Sequence, residues 1–401
     1  MIKQAISIFI LLLFLLFGSS GYADTFEQRA LLLSHQFSVL EKNLATANDD
    51  YLDNHISIHD YFAVTRTFWF ERDIADPALF DALSKWLEIE PKSAYAHVLM
   101  GLYWSGKAHQ ARGKRFAKDT SSEQFTTMEQ HFVKAWDYLQ KGLKIEPSIL
   151  EAYLEQLSIT RTSSHYGSSQ DFMRNVPATM KHNAYIWDIY LQVSIPRWGG
   201  SYAQMKQIID QEIPIYLPKL TDNQQQYLND IISNDKVDTL IRNDKYKAAL
   251  ALAEKSISRG TDYAGIYVRA AVAAHKLKDV RKCLDYSLKA TRLRPWKAKS
   301  WSKRGQCAID RQLWQQANKA YRYKVYIDGI TKYGLFKLGQ TYMYLSQFDK
   351  AYAVFKKAVE LDPEYTKYTD MYTSYIEKEK PDQMQLEGKD IYLIIGELKR
   401  P

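Results

Sequence analysis

The chain has 401 residues, a formal charge of +8 and 13% aromatic side chains. That charge is mild for the length, which argues against a nucleic-acid partner, since such proteins concentrate far more basic charge. No G-x-S-x-G, H-E-x-x-H, phosphate-binding glycine loop or C-x-x-C is present, so neither a cofactor nor a catalytic residue is expected.

Residues 1–23 carry Lys3, an apolar stretch Ile6–Phe17 broken only by Ser7, and Gly21-Tyr22-Ala23 as a small-x-small cleavage site. This is the pattern of a secretory signal peptide, and the apolar run is short of the ~20 residues that span a bilayer. The expected mature chain has 378 residues at +7, has no transmembrane segment, and is secreted across the inner membrane into the periplasm. Asp53, His55, His59 and Asp60 come nearest to a metal constellation. On one helix the two histidines would share a face within reach of a zinc ion. Ile56-Ser57-Ile58 alternates like an irregular or extended segment, however, so ordinary surface histidines are favoured and no metal is expected.

Pro91 in LEIEP and Pro147 in LKIEP each end an amphipathic helix and bracket a helix pair. The basic stretch Lys107–Lys118 lies inside it, with Lys107, Arg112, Lys114, Arg115 and Lys118 and no acid. It reads as a solvated loop, with attraction of an anionic partner or headgroup as the alternative. Residues 148–229 are helical in pattern without a clean period. Ser148 with Glu151 and Ser201 with Gln204 have capping-box spacing, which predicts helix starts there. Residues 183–193 and those after Ser201 form a helix pair joined by Pro196-Arg197-Trp198-Gly199-Gly200-Ser201. Its glycines permit positive φ and close backbone approach. The simpler expectation is an indole packed beneath a tight turn; the alternative is that Arg197 and Trp198 present charge and a flat face to a ligand. Ala111-Arg112-Gly113 and this turn together are similar to a family of uncharacterised bacterial tetratricopeptide-like proteins, over roughly residues 75–215. The resemblance carries no established activity, and it implies that the insertion and the turn face each other.

From about residue 230 a 34-residue recurrence takes over. With Gly339 as position 8, the last copy places Tyr342, Ala351, Phe355, Ala358 and Pro363 at 11, 20, 24, 27 and 32. Trp301, Gly305, Ala308, Ala317 and Tyr321 repeat positions 4, 8, 11, 20 and 24, with Gly329 at 32; Tyr267, Ala271, Ala274, Cys283, Ala290 and Pro295 repeat 4, 8, 11, 20, 27 and 32. Tyr246, Ala249 and Ala253 suggest a further copy that keeps only its second helix. This resembles the tetratricopeptide repeat (TPR), in which helix pairs stack into a superhelix. On the same numbering Met100, Gly101 and Trp104 take positions 7, 8 and 11, and Ala135 and Leu139 take 20 and 24, with about 22 residues inserted in the loop between them. The predicted organisation is thus an all-α, TPR-like solenoid: a signal peptide (1–23), an N-terminal helical region with the inserted hairpin (24–150), an irregular helical region (151–229), repeats (230–363), and a capping helix and tail (364–401).

Cys283 and Cys307 fall at position 20 of one repeat and position 10 of the next, on neighbouring helices. They can form a disulfide between hairpins, but two thiols filling small-residue slots is the favoured reading.

In the repeat family, positions 2, 5, 9, 12 and 13 line a peptide groove. The resemblance implies that Tyr333, Phe336, Gln340, Met343 and Tyr344, with Gln306 of the preceding copy, contact a protein or peptide partner. The competing role for Tyr333, Phe336 and Tyr344 is packing under the apolar tail 390–398. The clamp for acidic C-termini needs Lys and Asn at positions 5 and 9. The copies offer Asn234 and Asp238, then Val268 and Val272, with Lys299 and Lys303 alone supplying the third-repeat part, so that clamp is disfavoured. The leading expectation is a periplasmic scaffold that binds a protein or peptide. The alternative is an envelope-polymer-binding or catalytic accessory protein with a site around Arg112, Arg197 and Trp198.

Overall fold

The computed structural model describes residues 25–56, 58–65, 77–113, 119–386, 388–389, 391 and 394. Residues 1–23, where a signal peptide is expected, residues 114–118 of the basic stretch and most of the 390–398 tail lie outside them. Every regular element among the described residues is a helix. The chain divides into two compact units, up to Thr67 and from Phe68 onward, so the pattern changes at 150 and 230 both fall within the second unit.

In the first unit the helices Thr25–Leu33, Phe37–Leu52 and Ile58–Thr65 bury Leu32, Leu40, Leu44, Tyr61 and Phe62 against one another. His55 sits in the turn before the third helix, 3.5 Å from Asp50, rather than on one helix with His59. The side chain of His59 lies outside the described residues.

The second unit is a TPR-like array of helix pairs. The 34-residue copies become the pairs Ala264–Lys276 with Val280–Leu293, Ala298–Asp310 with Trp314–Asp328, and Lys332–Tyr344 with Phe348–Leu361. The copy read as a lone second helix is in fact complete, with Asp222–Arg242 preceding Tyr246–Ile257. Its first helix was hidden because Ser233 and Val237 stand at positions 4 and 8, where the other copies carry a large residue and a small one. The turns confirm the register. Asp244, Lys278, Gln312 and Ser346 each adopt positive φ (58°, 63°, 57° and 57°) at 34-residue intervals, the left-handed residue that closes each first helix.

Three of the pairs are held by a small residue facing a large one. A Cβ added to Gly339 would meet Phe355 at 2.4 Å, one on Gly305 would meet Tyr321 at 2.6 Å, and one on Gly101 would meet Leu139 at 2.7 Å. The front hairpin therefore keeps the repeat's contact between positions 8 and 24 despite its insertion. The inserted residues go mostly into helix. Ala94–Arg112 has 19 residues and Ser122–Ile145 has 24, against 13 and 14 in the last repeat. Lys107 and Arg112 accordingly stand on a helix and not in a loop.

Between the front hairpin and the repeats lie Leu150–Thr162, Ser169–Asn175, Ala178–Lys181 and Ala184–Val193, then the 3₁₀ turn Pro196–Trp198 and Tyr202–Gln207, which runs through a π-turn into Ile213–Tyr216. Ser201 caps its helix by accepting the Gln204 N–H at 3.0 Å, as the spacing predicted. Ser148 does not: it turns back to Glu146, donating its hydroxyl at 2.7 Å, and the helix begins at Leu150 without a side-chain cap. Cys283 and Cys307 are joined in a disulfide with Cα atoms 5.8 Å apart, where two packed thiols were preferred from the sequence. The bond staples two successive pairs, and the superhelix supplies the spacing it needs.

This middle region is fastened to the repeats by one buried charge pair. Asp188, 1% exposed, accepts from Arg294 and Tyr227 at 3.0 Å each and from Gln192 at 2.8 Å, while the Arg294 guanidinium lies 5.3 Å from the Tyr263 ring centroid. Removing one partner of such a pair strands a buried charge, which costs about 3–5 kcal/mol. Arg294→Met should therefore lower stability in urea unfolding by that amount, and adding Asp188→Leu should recover part of it. No change on Arg294→Met would contradict this.

Candidate functional site

The first helices of successive pairs lie side by side, and their position-6 residues form a column at the 34-residue period: Asp235, Arg269, Lys303 and Lys337. An ion pair and a hydrogen bond from a histidine whose pKa burial lowers join these helices across the inner face. Arg269 reaches Asp238 at 2.8 Å, and His275 reaches Asp310 at 3.1 Å. The Lys303 and Lys337 ammonium groups donate to Gln306 at 2.6 Å and Gln340 at 3.0 Å, each on its own helix.

These cations are crowded. Burial lowers the pKa of Lys303 and Lys337, with Asp310 opposing the shift in both and Lys276 adding to it in Lys303. Lys299 is pushed down to about 8, first by desolvation and then by Arg269, Arg197 and Lys303. It has accessible surface, yet the surrounding walls displace enough water to destabilise its charge. An anion entering the face would relieve all three.

The groove residues expected from the repeat offsets do not act as a set. Tyr333 and Tyr344 are exposed, the latter stacked on Trp314 with centroids 3.8 Å apart. Phe336 is partly buried against Phe355, Tyr365 and Tyr368, and Gln340 donates to Tyr372 at 3.1 Å. Met343 is partly buried against the C-terminal core. Phe336 and Gln340 thus pack under the helix Thr366–Glu379 and the short turn before it. From the tail, Ile391 and Ile394 join the same core.

At the other end of the column the turn Pro196–Trp198 docks on the first repeat helix. Arg197 donates to Asp238 at 3.2 Å and lies 3.8 Å from Asp235, whose other oxygen accepts the Tyr202 hydroxyl at 2.9 Å. Gly199 takes φ of 92°. Gly200 has no room for a side chain, since a Cβ would lie 1.9 Å from the Ser194 carbonyl oxygen. The indole of Trp198 is not packed beneath the turn: it is 42% exposed, and the Arg161 guanidinium lies 5.1 Å from its ring centroid.

Arg161 brings the turn and the inserted hairpin together. Ser105, His109 and Arg112, spaced i, i+4, i+7, share one face of Ala94–Arg112. Across from them Leu150–Thr162 supplies Glu155, which accepts the Ser105 hydroxyl, and Arg161, which makes a long 3.5 Å bond to Ser158. Burial lowers the Arg161 pKa; Glu155 opposes the shift, and the charges of Arg197 and Arg112 add to it. Burial, then Arg161 and Arg112, hold His109 down at about 4, so it is neutral near pH 7. Arg112, Arg197 and Trp198, named from the sequence, therefore surround one cleft. Its centre, Arg161 with Glu155 and His109, had no motif or periodic signal to mark it. The position-6 column did have one, because the 34-residue spacing is visible in the chain.

Two family profiles match. A domain of unknown function, DUF4034, covers residues 25–136, and the tetratricopeptide repeat covers 333–365. The first takes in Ser105, His109 and Arg112 but stops short of Arg161 and the Pro196–Ser201 turn, so its extent differs from the 75–215 expected. No curated protein matches the chain. Among solved structures, the crystal structure of the yeast Tom70 aligns at 10% identity and TM-score 0.40, covering 83% of this chain and 62% of that one. The chain is a TPR-like helical-repeat protein whose N-terminal part carries a domain of unknown function. Its repeats are those of a protein-interaction scaffold. No described helix is long and apolar enough to cross a membrane.

His109 gives the cleft a pH signature. Its folded pKa lies below the unfolded value, so the unfolded chain binds the extra proton first. The contribution of the neutral ring is present above pH 6.5 and is lost as pH falls toward 4, on the order of 3 kcal/mol in total. Stability measured by urea unfolding should fall less steeply across that window in His109→Gln than in the parent chain; identical slopes would contradict the assignment.

Proposed function

We propose that this chain is an exported, periplasmic scaffold that captures an extended acidic segment of a protein partner on its inner face, and that it contributes binding rather than catalysis. The observation carrying this reading is the column of Arg269, Lys303 and Lys337, with Lys299 beside it, where burial lowers the pKa of each and neighbouring cations add to the shift in Arg269, Lys299 and Lys303. A face that holds cations at such a cost favours a ligand that returns negative charge, and a repeat array presents that charge along a line. The exposed Tyr333 and Tyr344 add flat contact surface next to it. Residues 1–23 support export; a mature envelope protein beginning at Asp24 is the expected result, and retention of Met1 would oppose it.

Binding of a labelled Glu/Asp-rich peptide, followed by anisotropy, tests the reading. The double variant Lys303→Glu/Lys337→Glu should weaken it at least about tenfold, and affinity should fall with added salt. A charge-reversed variant that binds as tightly as the parent would remove the basis for the proposal.

A further inference from the structure

The cleft between the long hairpin, Leu150–Thr162 and the Pro196–Ser201 turn is chemically distinct from the peptide-binding column. Arg161 lies there among the charges of Glu155, Arg112 and Arg197; Glu155 accepts the Ser105 hydroxyl and Arg197 is also paired with Asp238. Arg161 is enclosed enough that its Nε–H is buried without a hydrogen-bond partner, and its Nη2 makes a long bond to Ser158. Its guanidinium carbon lies 5.1 Å from the Trp198 ring centroid and that of Arg197 5.9 Å, within cation–π range.

Clustered, part-buried arginines repel one another and lose hydration, so a fold keeps them where an oxyanion restores the balance. Guanidinium forks match the oxygens of phosphate, and the N–H that Arg161 keeps unpaired is of the kind such an oxygen accepts. His109, held neutral, offers an uncharged ring nitrogen on the same wall. Trp198 remains 42% exposed, so part of the indole is open for a ring carried by the anion.

We propose that this cleft is a binding site for a phosphate monoester, with Arg161 as its central ligand, Arg112 and Arg197 on either side, and Trp198 packing against the sugar or other ring that bears the phosphate. The site meets the column at Arg197, which is paired with Asp238, and lies away from Lys303 and Lys337, so the scaffold can tether a phosphorylated envelope component at one end while it holds a protein segment along the other. Free phosphate and a phosphorylated sugar share the anion contacts and differ only at Trp198.

The test is calorimetric titration of the full mature chain with inorganic phosphate and, separately, with a hexose phosphate, alongside Arg161→Met, Arg112→Gln, Trp198→Ala and Lys303→Glu/Lys337→Glu. The parent chain should bind both ligands saturably, with the hexose phosphate tighter. Arg161→Met and Arg112→Gln should each weaken phosphate at least about tenfold. Trp198→Ala should leave inorganic phosphate within about threefold and remove the preference for the hexose phosphate. The column variant should bind phosphate as the parent does, which separates failure here from failure of the peptide reading. Thermal unfolding checks the fold of each variant; Arg112, at a helix end, carries the test if Arg161→Met does not fold. Absence of saturable phosphate binding to the parent, or parent-like binding by folded Arg112→Gln, would overturn the proposal.

Discussion

Glycine at position 8 of a first helix, lying under a large side chain of the second, is the contact on which the array rests. It appears as Gly101 under Leu139, Gly305 under Tyr321 and Gly339 under Phe355. With no Cβ in the way, the two helices approach closely enough to bury the aromatic or aliphatic residue fully. The entropic penalty of a helical glycine, roughly 1 kcal/mol relative to alanine, is outweighed by burial of a side chain worth about 1.5–3 kcal/mol. Because each pair is held from its inside, the inner edge of each first helix is released from core duty and can carry charge.

The charges placed there are costly in isolation. Lys299, Lys303, Lys337, Arg269 and Arg161 all have lowered pKa values with desolvation as the leading cause. Asp238 compensates by pairing with Arg197, Arg242 and Arg269 at once, and Asp310 moderates the lower end of the column. Asp235 and Asp238 offset the arginines at the end nearest Arg197, while Lys303 and Lys337 have Asp310 opposing their shifts. The positive charge of those lysines is what points to an anionic ligand.

Much of this was legible in the chain because a 34-residue period translates directly into stacking geometry. Three pairs, their small and large positions and the glycine turn after Trp198 follow from residue size and backbone freedom alone. The first helix of the earliest copy was not legible, since Ser233 and Val237 stand at the two positions where its successors carry a large residue and a small one. Phe336 and Gln340 were read as groove residues by offset, but a terminal repeat has no following pair, and the helix Thr366–Glu379 takes its place over them. The cleft around Arg161 could not be read at all: its residues lie on three elements separated by about forty to fifty positions, and only packing brings Ser105 to Glu155 and Arg161 to Trp198.

The central claim is that ligand capture happens on the face formed by the first helices. A photo-crosslinkable acidic peptide bound to the full mature chain tests it most directly. The account predicts crosslinks confined to Ala264–Lys276, Ala298–Asp310 and Lys332–Tyr344; crosslinks concentrated on the second helices Val280–Leu293, Trp314–Asp328 and Phe348–Leu361 would contradict it.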